Sequence, residues 1–562
     1  MRPFALGCMR LTDPAVIAAA LDAGVTLLDT ADAYDVGDNE RLVALATAGR
    51  SGVRVVTKGG LVRPGGAWVP DGRAKHLAAA ARASAERLGT IDVYLLHAVD
   101  PKVPLATSVR ALAKLQADGL ARAVGLSNVS LTQLEDAERI TRIAAVEVEL
   151  SPFRLDAIRG GLVAACEARG LELYAHRPLG GPAGVKRLAG DPVLAALAAQ
   201  LGATPHEIAL AWLRSLSPAI VPLPGATRVE TARSAARPLE LDDAARAALA
   251  ARFLEVGSAS VAVSAREGEV VLVTGMPGAG KSTLAEDYVA RGYLRLNRDE
   301  RGGTLLDLAR ALDDALASGA DRVVLDNTYP SRASRAPVIE LAHRHGLAAC
   351  CVVLATPLER AQANAVMRML GQHGRLLEPA ELARAGNLGP GAQFRWRREA
   401  EAPRADEGFD AIDEVAFVPR PSPPGRPALL VELDNLVWRG RPSSPDRVEL
   451  RPGAREALAA WSATHVIAAT TWLPGATRAQ LDALVARLDL PLVAAHCAHP
   501  AGPPVCWCRK PLPGLALSLA HAHGLAFELA LGAGPADRGA ALRAGVPYHD
   551  VAAAGWPSPP PA

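Results

Sequence analysis

Eight times between Pro3 and Glu255 a short apolar run gives way to an Ala-rich helical stretch, and nothing else in this chain limits its fold so strongly. The runs are Phe4–Cys8, Val25–Asp29, Arg54–Lys58, Ile91–His97, Arg122–Ser127, Ala144–Glu149, Leu171–His176 and Ala219–Leu223. Repeated strand–helix units lead to parallel pairing, because each helix carries the chain back to the end of the sheet where the next strand starts. Eight units in about 255 residues have the size of a closed (β/α)8 TIM barrel, whose reactive side chains gather at the carboxyl ends of the strands. The polar residues follow that rule. Asp29 ends the second run, Lys58 the third and His97 the fourth, and Tyr34 comes one loop after Asp29. Aromatic residues make up only 4% of the chain, so its cores are expected to consist mainly of Ala, Val and Leu.

The barrel is assigned to residues 1–256 and is followed by a linker of small residues at 257–268. A second α/β unit is expected over 269–418. The Pro-rich stretch 419–427 reads as a stiff linker, 428–554 as a third α/β unit, and 555–562 as a disordered tail. The fold class is α/β throughout. With 61 basic and 59 acidic side chains the net charge is +2, which argues against a cationic nucleic-acid coat or a membrane-surface protein. No run approaches the ~20 apolar residues of a membrane span, and Met1 opens no charged-then-apolar leader. The expected setting is cytoplasmic, with no membrane partner. Seven scattered cysteines do not form a disulfide framework. Lysine also occurs only seven times, while arginine carries most of the positive charge, which singles out Lys58, Lys281 and Lys510 as positions where an ammonium is chemically needed.

Reducing a carbonyl takes a hydride and a proton. A tyrosine with a free pKa of about 10 releases its proton more readily beside an ammonium, and a carboxylate can hold that ammonium in place. Tyr34, Lys58 and Asp29 offer these three groups. The pieces LDTADAY (28–34), VVTKGG (55–60), IDVYLLH (91–97), VGLSN (124–128), RPLGG (177–181) and VPLPGATR (221–228) resemble the aldo/keto reductases over essentially the whole segment. The resemblance implies Tyr34 as the acid, Lys58 as its tuner, Asp29 as the anchor of Lys58, and His97 as the donor that orients the carbonyl of a small-molecule substrate. It implies NADPH as cofactor, with Ser127 and Asn128 on the nicotinamide carboxamide and Arg228 on the adenosine 2′-phosphate. Two positions depart from the family pattern. Glu147 stands where a carboxamide-binding Gln is usual, and His176 where a stacking aromatic is usual.

The run Gly275-Met-Pro-Gly278-Ala-Gly280-Lys281-Ser282-Thr283 follows an apolar strand and opens a helix, the context that a G-x4-G-K-[ST] phosphate loop requires. Backbone N–H groups would cradle phosphate, Lys281 would bridge the β- and γ-phosphates, and Ser282 would ligate magnesium, so ATP with Mg²⁺ is expected in a P-loop NTPase α/β domain. LNRDE (296–300) and VVLDNTY (323–329) resemble the polynucleotide-kinase-like branch of P-loop kinases. On that resemblance Asp299 is the general base and Asp326 holds magnesium or its waters, with Arg360 and Arg368 as lid arginines. The acceptor stays open between RNA or DNA 5′-hydroxyl ends and a small molecule. Arg395-Trp-Arg-Arg398 is a candidate strand grip.

The runs LLVELDNLVW (429–438), HVIAATT (465–471), CRKP (508–511) and LALGAGPAD (529–537) resemble HAD-superfamily phosphatases of the histidinol-phosphate and heptose-bisphosphate group, implying a HAD-like Rossmannoid α/β domain. Glu432 replaces the nucleophilic Asp of that family and Asp434 keeps the second acid. Thr470 (or Thr471) and Lys510 remain for phosphate, and Asp537 remains beside Ala533, where a second magnesium-binding acid is usual. The expected result is an inactive remnant. Cys497, His499, Cys506 and Cys508 offer three thiolates and an imidazole, a closed tetrahedral zinc set suited to a structural role. The sequence thus reads as a reductase joined to a kinase. The competing reading is a nucleic-acid end-healing enzyme with the barrel as sensor or accessory.

Overall fold

All eight expected runs are strands in the computed structural model, which describes residues 3–254, 267–418, 424–440, 447–502 and 505–560. They are Phe4–Gly7, Val25–Asp29, Arg54–Gly59, Val93–Leu96, Ala123–Ser127, Ala145–Glu149, Glu172–His176 and Ile220–Leu223. They lie side by side in chain order, every pairing parallel, and a bridge from Gly7 to Gly225 brings the last strand round to the first. Because aromatics are scarce, the interior of the cylinder is filled by Ala5, Leu27, Val56, Leu95 and Val221, with Tyr174 as the one large filler. At the amino-terminal end of the strands Arg54 reaches across to Glu172 with two hydrogen bonds of 2.8 and 2.9 Å. Gly125 lets two neighbouring parallel strands approach closely, since a Cβ there would lie 2.3 Å from the carbonyl oxygen of its partner Ala145.

The surrounding helices begin where local chemistry starts them. Helix Pro205–Leu216 opens with proline in its first turn and a reciprocal Thr204–Glu207 capping box, which satisfies N–H groups that have no partner inside the helix. Ser130 and Gln133 do the same for Leu131–Glu138. A short antiparallel pair, Leu61–Val62 with Val69–Pro70, interrupts the alternation after the third strand and was not foreseen.

Two further sheets are open and wholly parallel. One has the order Leu294–Leu296, Arg322–Asp326, Glu269–Thr274, Ala348–Ala355, Ala411–Ala416. The other has the order Leu492–Cys497, Val466–Trp472, Arg426–Glu432, Leu525–Gly532, Tyr548–Asp550. In each, the first strand of the segment is central, and its carboxyl end is where open parallel sheets place their ligand crevice.

The chain divides into two compact units. One gathers Met1–Ala265, Gly303–Gly319 and Ser331–Gly346, and the other Arg266–Gly302, Ala320–Pro330 and Leu347–Ala562. The borders drawn from sequence did not anticipate this grouping, in which two helices of the second segment, Leu305–Ala317 and Arg332–Arg344, belong with the barrel. Helix Arg332–Arg344 packs beside Asp156–Arg159, where a Cβ on Gly160 would sit 3.6 Å from the Ala333 methyl. Of the two expected linkers, 257–268 lies almost entirely outside the described residues and 419–427 largely so. The second is cut short, because Arg426 and Pro427 already open a central strand. Pro427 is tolerated there because it pairs only with Ala526, the other neighbour joining at Ala428. The tail expected to be disordered is described as far as Pro560. Trp556 packs on the third segment's core and Trp461 Nε1 donates to the Pro557 carbonyl at 2.9 Å. Among the described residues no single helix is long and apolar enough to cross a membrane, and all seven cysteines are free thiols.

Glu40 shows how the barrel accommodates a buried charge. Its fully buried carboxylate accepts from Thr57 Oγ1 at 2.5 Å and from Arg87 Nε at 2.6 Å. Arg87→Ala would leave that carboxylate without its cation, a change that costs about 3–5 kcal/mol. Urea denaturation should show the barrel transition moving to lower denaturant, and an Arg87→Met/Glu40→Gln double variant should recover much of the loss. An unchanged midpoint in Arg87→Ala would show that the pair contributes nothing.

Candidate active site

Parallel strands bring their ends together, and the barrel mouth shows the result. Lys58, on the third strand, is wholly buried, and its Nζ donates to Asp29 Oδ1 at 2.6 Å, the Thr30 carbonyl at 3.0 Å and Tyr34 Oη at 3.4 Å. A second carboxylate approaches the same nitrogen, Glu147 Oε2 at 3.3 Å. Tyr34 meets His97 edge to face, the ring centroids 5.6 Å apart. Ser127, Asn128 and His176 complete the rim. Asn128, with a positive φ of 57°, donates to the His97 carbonyl at 3.0 Å and to Ser127 Oγ at 3.1 Å, and its Oδ1 lies 3.2 Å from His176 Nε2. Among the described residues His97 Nδ1 and Glu147 Oε2 are buried without a hydrogen-bond partner. Arg228 is exposed at the start of helix Val229–Ala235, which leaves its guanidinium open to an anion.

Burial sets much of the electrostatics here. It works against the Lys58 ammonium, but Asp29, Glu147 and Tyr34 outweigh it and hold Lys58 well above the ordinary lysine value. Burial lowers His97 to about 2 and His176 to about 4, with the Lys58 charge adding to both, so each ring is neutral. The expectation that Lys58 makes the Tyr34 phenol more acidic needs correction. Lys58 does pull it down, but burial, joined by the charges of Asp29 and Glu147, leaves the phenol above its ordinary value and therefore proton-bearing. Sequence reading also missed Trp68, whose ring centroid lies 6.3 Å from that of Tyr34 and 6.1 Å from that of His97, with the Arg63 guanidinium 3.7 Å over its face. The available signal was an aromatic side chain standing in a Gly- and Pro-rich loop of an aromatic-poor chain.

The phosphate loop follows the central strand Glu269–Thr274, and helix Lys281–Ala290 starts at its end, with Ser282 and Thr283 exposed in the first turn. Gly275 and Gly280 turn the chain on either side of Gly278. Gly278 has φ 85°, and a Cβ there would lie 2.3 Å from the Ala361 carbonyl oxygen, so no other residue fits. Lys281 Nζ is folded back onto the carbonyls of Gly275 and Met276, 2.9 Å from each. Burial lowers it to about 8, with Asp326 opposing and Arg368 adding to the effect. Asn364 and Gln393 donate to the loop carbonyls of Gly278 and Pro277 at 2.9 and 2.8 Å.

Three of the residues expected to act here have close neighbours within the protein. Asp326 is not open to a metal ion, because Arg295 (2.8 and 3.1 Å) and Asn297 (2.9 Å) already occupy its oxygens. The Arg360 guanidinium lies close to Gly545. Trp396 is half-buried, its Nε1 donating to the Thr328 carbonyl at 3.3 Å. Asp299 is exposed in the short helix Arg298–Arg301, with Arg298 3.4 Å away.

In the third sheet Lys510 Nζ lies 2.6 Å from both Glu432 Oε2 and Asp537 Oδ1. Thr470 donates to Glu432 at 2.9 Å, whereas Thr471 (2.7 Å) and the Trp472 N–H (2.9 Å) donate to Asp434, so the two threonines serve different acids. Burial raises Glu432 to about 8, with Lys510 opposing and Asp434 reinforcing. Nearby, the ligand atoms of Cys497, His499, Cys506 and Cys508 all lie within 4.8 Å of one another. Cys497 Sγ is 3.6 Å from Cys506 Sγ and 3.3 Å from Cys508 Sγ, and His499 Nδ1 is 3.2 Å from Cys508 Sγ. Ligands about 2.3 Å from one tetrahedral zinc stand roughly 3.7 Å apart, so the donor set and its spacing fit that ion. His499 Nε2 faces away, 2.6 Å from Glu378 Oε2, the outer-shell arrangement that fixes a metal-binding imidazole.

Comparison with known proteins agrees with the barrel. Residues 12–251 match the family model of the aldo/keto reductases, and residues 270–376 match an AAA domain model, a kinase-like P-loop segment. An uncharacterized oxidoreductase of Schizosaccharomyces pombe is 33% identical over 213 residues, 37% of this chain and 68% of its own. Among solved structures, the glycerol dehydrogenase of Gluconobacter oxydans is 26% identical, with a TM-score of 0.40 over 44% of this chain and 91% of its own. An aldo-keto reductase of Klebsiella pneumoniae in complex with NADPH is 25% identical, with a TM-score of 0.40 over 45% of this chain and 91% of its own. With its four-residue constellation at the mouth of an eight-stranded barrel and this sequence match, the chain belongs to the aldo/keto reductase family.

Proposed function

We propose that the barrel reduces an aldehyde or ketone with NADPH, and that the central segment transfers phosphoryl from ATP to a hydroxyl. The observation that carries the first part is the buried Asp29–Lys58–Tyr34 chain with His97 beside it. A bound nicotinamide would supply the hydride. Tyr34 gives the proton from Oη, and Lys58 stabilises the phenolate left behind. Asp29 fixes the ammonium. His97, neutral and with an unpartnered ring nitrogen, orients the carbonyl oxygen. Ser127, Asn128, Glu147 and His176 are the groups that would hold the nicotinamide end, and Arg228 the 2′-phosphate.

In the central segment, the N–H groups of Gly275–Lys281 and the helix behind them would cradle the phosphates of ATP, with Ser282 on magnesium. Lys281 would leave the two carbonyls it now holds and turn to the phosphates, with Arg368 beside it and Asp299 as the acceptor's base. The third sheet is read as a HAD-type remnant without phosphatase activity, since Lys510 already ties Glu432 to Asp537. The Cys497–His499–Cys506–Cys508 cluster is read as a structural zinc site. A second reading, nucleic-acid end-healing with the barrel as accessory, is favoured by one observation: the phosphate-loop sheet and the third sheet share one compact unit.

Tyr34→Phe should lower NADPH-dependent carbonyl reduction by at least about a hundredfold while leaving NADPH binding in place; unchanged turnover would remove Tyr34 from the acid role. With a 5′-hydroxyl oligonucleotide as acceptor, Asp299→Asn should abolish ATP-dependent labelling; labelling at the wild-type rate would exclude Asp299 as base, and no labelling by wild type would leave an ATPase or a small-molecule kinase. Elemental analysis of protein purified without chelator should find about one zinc per chain. Stripping it should lower the melting temperature of the unit that carries the cluster, because the energy of metal binding adds to that of folding.

A further inference from the structure

The Lys58 ammonium has three protons and donates to Asp29 at 2.6 Å, the Thr30 carbonyl at 3.0 Å and Tyr34 at 3.4 Å. Glu147 Oε2 stands 3.3 Å from the same nitrogen and has no hydrogen-bond partner among the described residues. It shares the ammonium with Asp29, whose Oδ1 lies 2.6 Å from the same buried nitrogen. Two carboxylates crowded onto one buried ammonium repel each other, and a proton on one of them relieves that repulsion.

Charge counting leads to the same place. Two ionised carboxylates against one ammonium would leave an uncompensated negative charge in a site where Lys58 is wholly buried and Glu147 only 3% exposed. The groups facing it from the other elements do not supply the missing cation. Tyr34 keeps its proton, His97 and His176 are neutral, Ser127 and Asn128 are uncharged, and burial holds the Cys8 thiol, on the first strand's edge, in its protonated form. Asp32, whose Oδ1 has no hydrogen-bond partner among the described residues and which burial raises to about 7, adds a further carboxyl and no cation. Arg177, the arginine next along the chain from His176, lies 3.7 Å from Glu149.

We infer that Asp29 and Glu147 share one proton across Lys58, and that losing it shifts the barrel's preference from the reduced towards the oxidised nicotinamide cofactor. Glu147, one of the groups assigned to the nicotinamide end, then also acts through the Asp29–Lys58 pair. While the pair holds its proton, the site is neutral overall and suits the uncharged reduced ring. Once the proton leaves to solvent, one added negative charge stands beside the groups assigned to the nicotinamide end and favours the cationic oxidised ring. Burial raises Glu147 to about 8, the Asp29 charge adding and Lys58 opposing, which places the change within a testable range. The inference rests on the reductase reading given above.

The test is equilibrium binding of NADPH and NADP⁺ to the full chain between pH 6.5 and 9.5, scored as the ratio of the two Kd values so that titration of the cofactor's own phosphates cancels. In wild type the ratio Kd(NADP⁺)/Kd(NADPH) should fall by about tenfold or more across this range, as expected for one new charge at short distance in a partly dry site. Glu147→Gln should give a flat ratio, and Glu147→Asp should restore the slope. NADP⁺ binding near pH 8 should also take its heat partly from buffer protonation, and this contribution should vanish in Glu147→Gln. A flat ratio in wild type, with both forms bound, overturns the inference and leaves the reductase reading standing. The same slope in Glu147→Gln overturns it too, because the proton would then belong elsewhere. Failure to bind either cofactor form at any pH overturns both.

Discussion

A lysine ammonium with no access to water sets the terms for the barrel mouth. Stripping its hydration costs several kcal/mol unless anions and carbonyls take its place. Lys58 draws three neighbours inward to meet that need: Asp29 from the adjoining strand, and the Thr30 carbonyl and Tyr34 hydroxyl from the loop that follows it. The loop's path is thus tied to the same nitrogen that the chemistry uses. The other two lysines singled out by their rarity solve the problem differently. Lys281 rests on two backbone carbonyls, which a stronger anion can displace, whereas Lys510 is held between two carboxylates that already satisfy its charge. One arrangement is open to a ligand and the other is closed on itself.

Most of the barrel could be read from sequence because its signals are local. Each strand is a short apolar run, each run ends in the residue that matters, and closing a parallel sheet gathers those ends without further information. The errors at strand ends are small, such as Val93–Leu96 inside the expected Ile91–His97. What escaped notice depends on register between distant segments. Arg295 reaches Asp326 because Arg295 pairs beside Val324, two residues before that carboxylate, and nothing near either residue announces it. The same holds for the loop carrying Trp68, and for the approach of Glu147 to Lys58: its departure from the usual Gln could be read from sequence, its place 3.3 Å from the buried ammonium could not. The tail was misread for a related reason. Its prolines argue against regular structure, but a chain without helix or strand can still pack, and Trp556 does.

Helix Leu358–His373 does two jobs at once. Near its start Asn364 holds the phosphate loop, and farther along Val366, Met369 and Leu370 are buried in one apolar cluster with Trp507 and Leu512, which flank the last cysteine. Trp507 Nε1 donates to the Leu388 carbonyl at 3.1 Å, and Arg543 to Gln362 at 2.6 Å. The middle of the chain is therefore not a free-standing cassette. A fragment ending near Val418, the obvious cut on a map of motifs, would lose the indole and leucine that cover this helix and leave a greasy stripe in water, a surface that drives protein out of solution. Anyone expressing the nucleotide-binding part alone would do better to keep the carboxyl-terminal sheet attached.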